Sequence, residues 1–149
     1  PSPDVLVRTW QEMLNARDRG LARAVGVSNH SIAQIDEITR ATGEAPAVNQ
    51  IPWSPPRHSA GLLRQHRERG IVVEGYSPIK GTDLGHPVLA EIARSHGVTP
   101  AQVVLRWHLQ HDIVVIPKSA RRERIAENAD LFGFTLSAEE MARIDAMAD

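Results

Sequence analysis

Cysteine is absent from this chain of 149 residues, which also lacks long apolar runs and a large excess of either charge. Without cysteine there are no disulfides and no thiolate metal ligands, which suits a reducing cytosol. No apolar run approaches transmembrane length, and no signal-peptide pattern opens the sequence. A net charge of -1 argues against a nucleic-acid partner. We therefore expect a cytoplasmic protein with neither a nucleic-acid nor a membrane partner.

Aromatic residues are also few, and Tyr76 is the only tyrosine. The length fits one domain with a sizeable core. The sequence opens on Pro1 rather than on Met, so we expect a piece of a longer protein.

Helical patterns alternate with short apolar strands along the whole sequence. Thr99-Pro100 and a capping box at Ser137 predict helix starts, and Gly43 and Gly70 predict helix ends. Four strands are predicted, at Ala22–Val27, Ala47–Ile51, Ile71–Tyr76 and Asp112–Ile116. This alternation predicts an α/β fold with parallel strands joined by right-handed crossovers.

Small polar residues follow or close each predicted strand. Because parallel strands place their carboxyl ends on one rim, these residues are expected to meet there. They are Ser28-Asn29, Asn49-Gln50, Tyr76-Ser77 and Lys118-Ser119. The pattern predicts a binding site at that rim.

The stretch after the last strand predicts a phosphate site. Four apolar residues, from Ile113 to Ile116, indicate a buried strand, and Pro117 ends it. Ser119 is expected to cap the following helix, whose amino end favours anions and carries several arginines. The alternative interpretation is a solvated basic turn that follows a core strand.

Four segments occur in a fixed order: Gly26-Val27-Ser28-Asn29, Ala47-Val48-Asn49-Gln50-Ile51, Gly75-Tyr76-Ser77-Pro78, and Ile116-Pro117-Lys118-Ser119 followed by Arg124 and Glu127-Asn128. Their sequences and their order resemble the aldo-keto reductase family over essentially the whole chain. The family fold is a (β/α)8 TIM barrel, and the resemblance implies that residues 1–149 are its second half, strands five to eight, incomplete alone. The implied activity is NADPH-dependent reduction of aldehydes and ketones to alcohols.

The resemblance also implies a cofactor role for twelve residues. Ser28, Asn29 and Gln50 would bond the nicotinamide carboxamide, and Tyr76 would stack on its ring. The pyrophosphate would lie along Ser77, Ile79 and Gly81. The adenosine 2′-phosphate would be held by Lys118, Ser119 and Arg124, and the adenine by Glu127 and Asn128. The two cations at the 2′-phosphate favour NADPH over NADH.

Two positions depart from the family pattern. His30 stands where the family has an aromatic residue, and Trp53-Ser54-Pro55 replaces aromatic-His-Pro. Trp53 is interpreted either as part of a substrate pocket or as a loop residue packed on Pro55. His108 and His111 are interpreted as a solvated helix end, so no metal site is predicted.

The family's catalytic Tyr, Lys, Asp and His lie on the first four strands, so no catalytic residue is expected in this chain. Four strands cannot close such a barrel, and open edges are expected to need an N-terminal half-barrel or self-association. The first hypothesis is the cofactor-binding half of a carbonyl reductase acting on a small-molecule substrate. The alternative is a non-catalytic NADPH-binding or partner-binding half-barrel, and a half-barrel fragment made for folding studies is a third interpretation.

Overall fold

The computed structural model describes residues 2–148, which form two compact units. Unit 1 contains residues 2–51 and 60–73, and unit 2 contains residues 52–59 and 74–148. Helices and strands alternate along the chain, as the sequence predicts.

The bounds follow chain order. The helices are α1 Pro3–Asp18, α2 Ile32–Thr42, α3 Ala60–Glu68, α4 Pro87–His96, α5 Pro100–Gln110, α6 Arg122–Ala129 and α7 Ala138–Asp145. The strands are β1 Val27–Ser28, β2 Val48–Pro52, β3 Val72–Tyr76 and β4 Val114–Ile116. Short 3-10 turns span Pro55–Arg57 and Ala146–Ala148. Strand β1 is shorter than predicted, since residues 22–26 lie outside the ladder.

The core of unit 1 forms around the apolar stripe of α1. Leu6, Trp10 and Leu14 recur every fourth residue, so they share one face of the helix. They pack with Val25 and Ile38, and the Trp10 Nε1–H donates to the carbonyl of Glu44 at 2.9 Å. The indole therefore fills the core while its polar edge is satisfied.

Strands β1 and β2 pair in parallel in unit 1. Val27 pairs with Asn49 and Ser28 with Gln50. Gly26 permits the close approach, because a Cβ there would lie 2.6 Å from the carbonyl oxygen of Val48. The register therefore sets Ser28, the last residue of β1, beside Gln50 in the middle of β2.

The core of unit 2 is built on α5. Val103, Val104 and Trp107 are fully buried, and a capping box at Thr99 fixes where the helix begins. Gly75 in β3 lets neighbouring side chains approach, because an added Cβ would lie 3.1 Å from the Cβ of Trp53. The capping boxes at Thr99 and Ser137 confirm the predicted helix starts.

Strands β3 and β4 pair in parallel in unit 2, with Tyr76 opposite Ile116. The prediction that residues 113–116 form a buried strand was wrong. Ile113 is buried, but Val114 is 45% exposed and Ile116 is 43% exposed. Strand β4 lies at a sheet edge, and one face of its pairing with β3 is open.

Two further local predictions need correction. Ser119 accepts a hydrogen bond from the Arg121 N–H at 3.2 Å, but Arg121 is the N-cap of α6, so Ser119 does not cap that helix. His108 is fully buried rather than solvated. Its Nδ1 lies 2.7 Å from the carbonyl oxygen of Val104, and its Nε2 lies 3.2 Å from that of Trp53. Burial lowers the pKa of His108, and the two carbonyls act in the opposite direction.

Among residues 2–148, no helix has both the length and the apolar character needed to cross a membrane.

Candidate functional site

A cavity of about 330 Å³ lies in unit 2, beyond the end of β4. Its walls come from four places: the loop between β3 and α4, the turn after β4, the start of α5, and one face of α6. The lining residues are Ile79, Leu84, Thr99, Pro100, Ala101, Lys118, Ser119, Arg124, Glu127 and Asn128. The volume falls within the range of small-molecule sites in proteins. Six of the twelve predicted cofactor residues thus line one cavity.

The turn after β4 brings a cation and a hydroxyl to the cavity. Pro117 has no N–H for a ladder, so the strand ends at Ile116 and Lys118 and Ser119 follow in an irregular segment. The Ser119 Oγ accepts from the Arg121 N–H, which fixes the bend that leads into α6. Lys118 is exposed and Ser119 is half-buried, so the ammonium group faces solvent.

One face of α6 supplies the remaining polar groups. Arg124, Glu127 and Asn128 are spaced by three and four residues, so they lie on the same side of the helix. Arg124 lies in the first turn, where the helix dipole also favours an anion. The cavity therefore offers two cations and a helix start, together with a carboxylate and an amide about one turn farther along.

Gln102 holds the two helical walls together, a role that the sequence analysis missed. Its side-chain NH2 donates to the carbonyls of Glu127 at 3.3 Å and Asp130 at 2.9 Å. Its side-chain oxygen accepts from the Thr99 N–H at 2.9 Å. The start of α5 and the end of α6 are therefore joined by one amide. The Thr99-Pro100 pair indicated where the helix begins but not the longer bonds, which link residues 25 and 28 positions apart.

Three other predicted residues of unit 2 lie outside the lining of this cavity. Tyr76 is half-buried at the carboxyl end of β3, where its carbonyl accepts from the Trp53 N–H at 3.3 Å. Ser77 has a positive φ of 53°, and its carbonyl accepts from the Lys80 N–H at 3.0 Å. Gly81 also has a positive φ, 82°, which glycine adopts without strain. The loop that these residues begin carries Leu84 to the cavity wall.

In unit 1 the structure brings Ser28, Asn29 and Gln50 together. The Ser28 hydroxyl donates to the carbonyl of Gln50 at 3.0 Å, and the Asn29 N–H donates to the same oxygen at 2.9 Å. Asn29 has a positive φ of 56°, a conformation that asparagine tolerates better than most residues. The turn after β1 is thus fixed against the middle of β2.

Asn49 supports the turn after β1 from the protein interior. It is fully buried, and its side-chain NH2 donates to the carbonyl of His30 at 2.9 Å. The same NH2 lies 3.0 Å from Nε2 of His66, whose Nδ1 lies 2.8 Å from the carbonyl oxygen of Leu62. His66 therefore donates through Nδ1 and accepts through Nε2. The sequence placed Asn49 among the polar rim residues and gave His66 no role. It did not predict the contact between them, because their partners lie far away along the chain.

Trp53 is buried in unit 2. Its ring packs edge-on against His58, with centroids 5.8 Å apart. Its assignment to a substrate pocket stays a prediction.

Comparison with known proteins gives one consistent family. The sequence profile of the Aldo/keto reductase family matches residues 2–149. Morphine 6-dehydrogenase of Pseudomonas putida is 42% identical, with 93% of this chain and 52% of that protein covered. 2,5-diketo-D-gluconic acid reductase B of a Corynebacterium species is also 42% identical, with 99% of this chain and 54% of that protein covered. The chain therefore spans about half the length of the curated relatives it matches.

Solved structures agree on the fold. The NADPH complex of a Gox0644 variant matches 95% of this chain and 52% of its own, with 41% identity and a TM-score of 0.91. The Bombyx mori aldo-keto reductase with NADP matches 95% of this chain and 50% of its own, with 34% identity and a TM-score of 0.87. The predicted fold class is confirmed: the chain has the α/β fold of one half of a (β/α)8 barrel.

Proposed function

Because the chain belongs to the aldo/keto reductase family, we propose that it supplies the NADP(H)-binding half of an oxidoreductase that reduces aldehydes and ketones. The single observation that carries the proposal is the cavity lined by Lys118, Ser119, Arg124, Glu127 and Asn128. Its cations and hydroxyl are groups that can bind a phosphate, and its carboxylate and amide are groups that can bind an adenine. The proposal is also supported by the relative named 2,5-diketo-D-gluconic acid reductase B and by the two similar structures solved with NADPH and with NADP.

The 2′-phosphate is placed between Lys118 and Arg124, with the Ser119 hydroxyl as a further donor. A phosphate monoester carries up to two negative charges and rewards charge-assisted hydrogen bonds. The adenine lies toward Asn128 and Glu127, where an amide and a carboxylate can bond its ring nitrogens and amino group. NADH lacks the 2′-phosphate, so this half of the site favours NADPH.

The nicotinamide end is assigned to Ser28, Asn29 and Gln50 in unit 1 and to Tyr76 in unit 2. The Ser28 and Gln50 pairing presents a hydroxyl and an amide to the carboxamide of the cofactor. A tyrosine face offers the flat apolar surface that a nicotinamide ring stacks on. Ser77, Ile79 and Gly81 follow Tyr76 and take the pyrophosphate.

Reduction of a carbonyl needs a proton donor besides the hydride that NADPH provides. Tyr76 is the only tyrosine among the 149 residues and is assigned to stacking, so the acid is expected on a preceding half-barrel. The open face of β4, with Val114 and Ile116 exposed, is where such a half would cover apolar surface. We propose that residues 1–149 act as one incomplete domain that needs this half or a second copy.

The alternative function is cofactor binding without chemistry. It is favoured by the single tyrosine, which leaves no separate phenol within these residues. The two functions differ in one assay: a reductase oxidises NADPH when a carbonyl compound and the amino-terminal half of a relative are added, whereas a binding module does not.

The test of the cavity uses fragments of the cofactor. Adenosine 2′,5′-bisphosphate and adenosine 5′-diphosphate are titrated into the chain by calorimetry. Both carry an adenine, a ribose and a phosphate at the 5′ position, but only the first has the 2′-phosphate. We expect the 2′-phosphorylated ligand to bind at least tenfold more tightly, since about 1.4 kcal/mol is tenfold. Equal affinities would show that Lys118 and Arg124 do not hold a 2′-phosphate.

A further inference from the structure

Three potential metal ligands meet in unit 2. None of them lines the cavity beyond β4 that is proposed to bind the cofactor, which is called the nucleotide cavity below. His58 follows the 3-10 turn Pro55–Arg57, His111 is the C-cap of α5, and Asp145 is the last residue of α7. One ligand atom from each lies within 4.8 Å of the other two. Among residues 2–148 this is the one group of three such side chains at that separation. We call these residues the His-His-Asp cluster.

Asp145 is held in place by Trp107 and His111. Its Oδ1 accepts from the Trp107 Nε1–H at 2.7 Å and lies 2.7 Å from Nε2 of His111. Nε2 of His58 lies 3.7 Å from the same oxygen, which is longer than a hydrogen bond. The carboxylate is therefore oriented by an indole N–H, as second-shell donors orient metal ligands.

His58 offers a largely buried imidazole nitrogen to a metal ion. Its side chain is only 7% exposed, and the nitrogen that lies 3.7 Å from Asp145 is Nε2. An imidazole binds a metal ion through the lone pair of one ring nitrogen.

The surrounding rings limit how far the histidines can move. The rings of His58 and His111 are stacked, with centroids 5.0 Å apart, and the edge of Trp107 packs on both. One side stays accessible, since 34% of the Asp145 side chain and 18% of the His111 side chain are exposed. A solvent molecule can therefore reach the cluster from the side of Asp145.

We propose that His58, His111 and Asp145 bind Zn²⁺, with a water molecule as the fourth ligand. Two imidazoles and one carboxylate with an open position form a common zinc ligand set. Zn–N and Zn–O bonds of about 2.0–2.1 Å place tetrahedral ligand atoms roughly 3.4 Å apart. The two separations from Asp145, 2.7 Å and 3.7 Å, lie on either side of that value. Zn²⁺ replaces the hydrogen between His111 and Asp145, and His111 then carries its proton on Nδ1.

The zinc ion would join three elements that the chain otherwise connects only by packing and hydrogen bonds. It ties the turn after Trp53, the end of α5 and the end of α7, so its effect is on the stability of unit 2. This site is independent of the nucleotide cavity, and the inference stands even if the proposed cofactor function fails.

The experiment is calorimetric titration of the purified chain with ZnCl2, together with Co²⁺ as a spectroscopic probe. We expect one Zn²⁺ per chain, visible absorption typical of four-coordinate Co²⁺, quenching of tryptophan emission by Co²⁺, and a rise in Tm of a few degrees. Asp145→Asn and His58→Gln should each lower Zn²⁺ affinity by more than the roughly 10- to 100-fold that second-shell changes cost.

His96→Gln is the matched control. His96 also lies beside a carboxylate, with its Nε2 3.0 Å from Glu140, but that pair has no third ligand in the described chain. The Zn²⁺ affinity of the His96→Gln variant should stay within about twofold of that of the unchanged chain, which corresponds to a few tenths of a kcal/mol. The proposal is overturned if the unchanged chain shows neither the Co²⁺ absorption nor a Zn²⁺-dependent rise in Tm. It is also overturned if His96→Gln weakens binding as much as His58→Gln does.

Discussion

Replacing Lys118 or Arg124 by methionine should reduce the preference of the nucleotide cavity for NADPH over NADH. Methionine keeps much of the length and apolar volume of each side chain but removes its charge. A hydrogen bond to a charged group contributes about 1.5–3 kcal/mol. Both side chains are exposed to solvent, so the lower end of that range applies after screening. Each substitution should therefore weaken NADPH binding by roughly tenfold.

NADH has no group at that position, so its affinity should change by less than about twofold. The double variant should lose less than the product of the two single effects, because both cations are proposed to contact the same phosphate. NADPH selectivity should also fall as salt is added, since the Debye length shrinks from about 8 Å at 0.15 M to about 3 Å at 1 M.

The assay is fluorescence titration of the chain with each dinucleotide, repeated in the presence of an amino-terminal half-barrel from a relative. Arg122→Met is the control, because it removes a cation from the same helical turn without changing the cavity lining. Equal losses for NADPH and NADH in the two single variants would refute the 2′-phosphate assignment. So would an Arg122→Met variant that loses as much NADPH affinity as Arg124→Met.

Three further predictions test separate features. Tyr76→Ala should weaken NADPH and NADH binding alike, by about 1–3 kcal/mol of lost stacking; unchanged affinity in the same titration would exclude it as the platform. Acid should destabilise the fold, because folding lowers the pKa of His58 and of His108. The free energy of unfolding that the neutral rings contribute is complete above about pH 6.5 and is lost as the pH falls. A Tm that rises as the pH is lowered from 7 to 5 would contradict this prediction. Gly75→Ala should cost about 1–3 kcal/mol in urea unfolding, since the new methyl meets Trp53 at 3.1 Å. The control Gly61→Ala, with open space in α3, should be neutral or stabilising, and equal losses would disprove the packing argument.

The sequence predicted what local chemistry determines. The helix starts at Thr99 and Ser137 depend on a hydroxyl and a carboxylate or amide three residues later, and both capping boxes form. The same holds for the turn at Lys118 and for the face of α6 that carries Arg124. These features need only neighbours within a few residues, so spacing alone indicates them.

The sequence did not predict features that depend on distant partners. His108 looked like part of a solvated helix end, yet it is buried beside Trp53, which lies 55 residues away. Asp145 meets His111 across 34 residues. Apolar composition indicated that Val114 and Ile116 are buried, but burial depends on what covers the strand, and one face of β4 is open.

The amide of Gln102 acts as a spacer between the two helical walls of the nucleotide cavity. Because one side chain bonds both the start of α5 and the last turn of α6, its length sets how far apart these walls stand. Shorter or longer residues at position 102 would narrow or widen the gap without touching the groups that contact the ligand. This position is therefore a natural place to adapt the protein to synthetic cofactor analogues with smaller or bulkier bases.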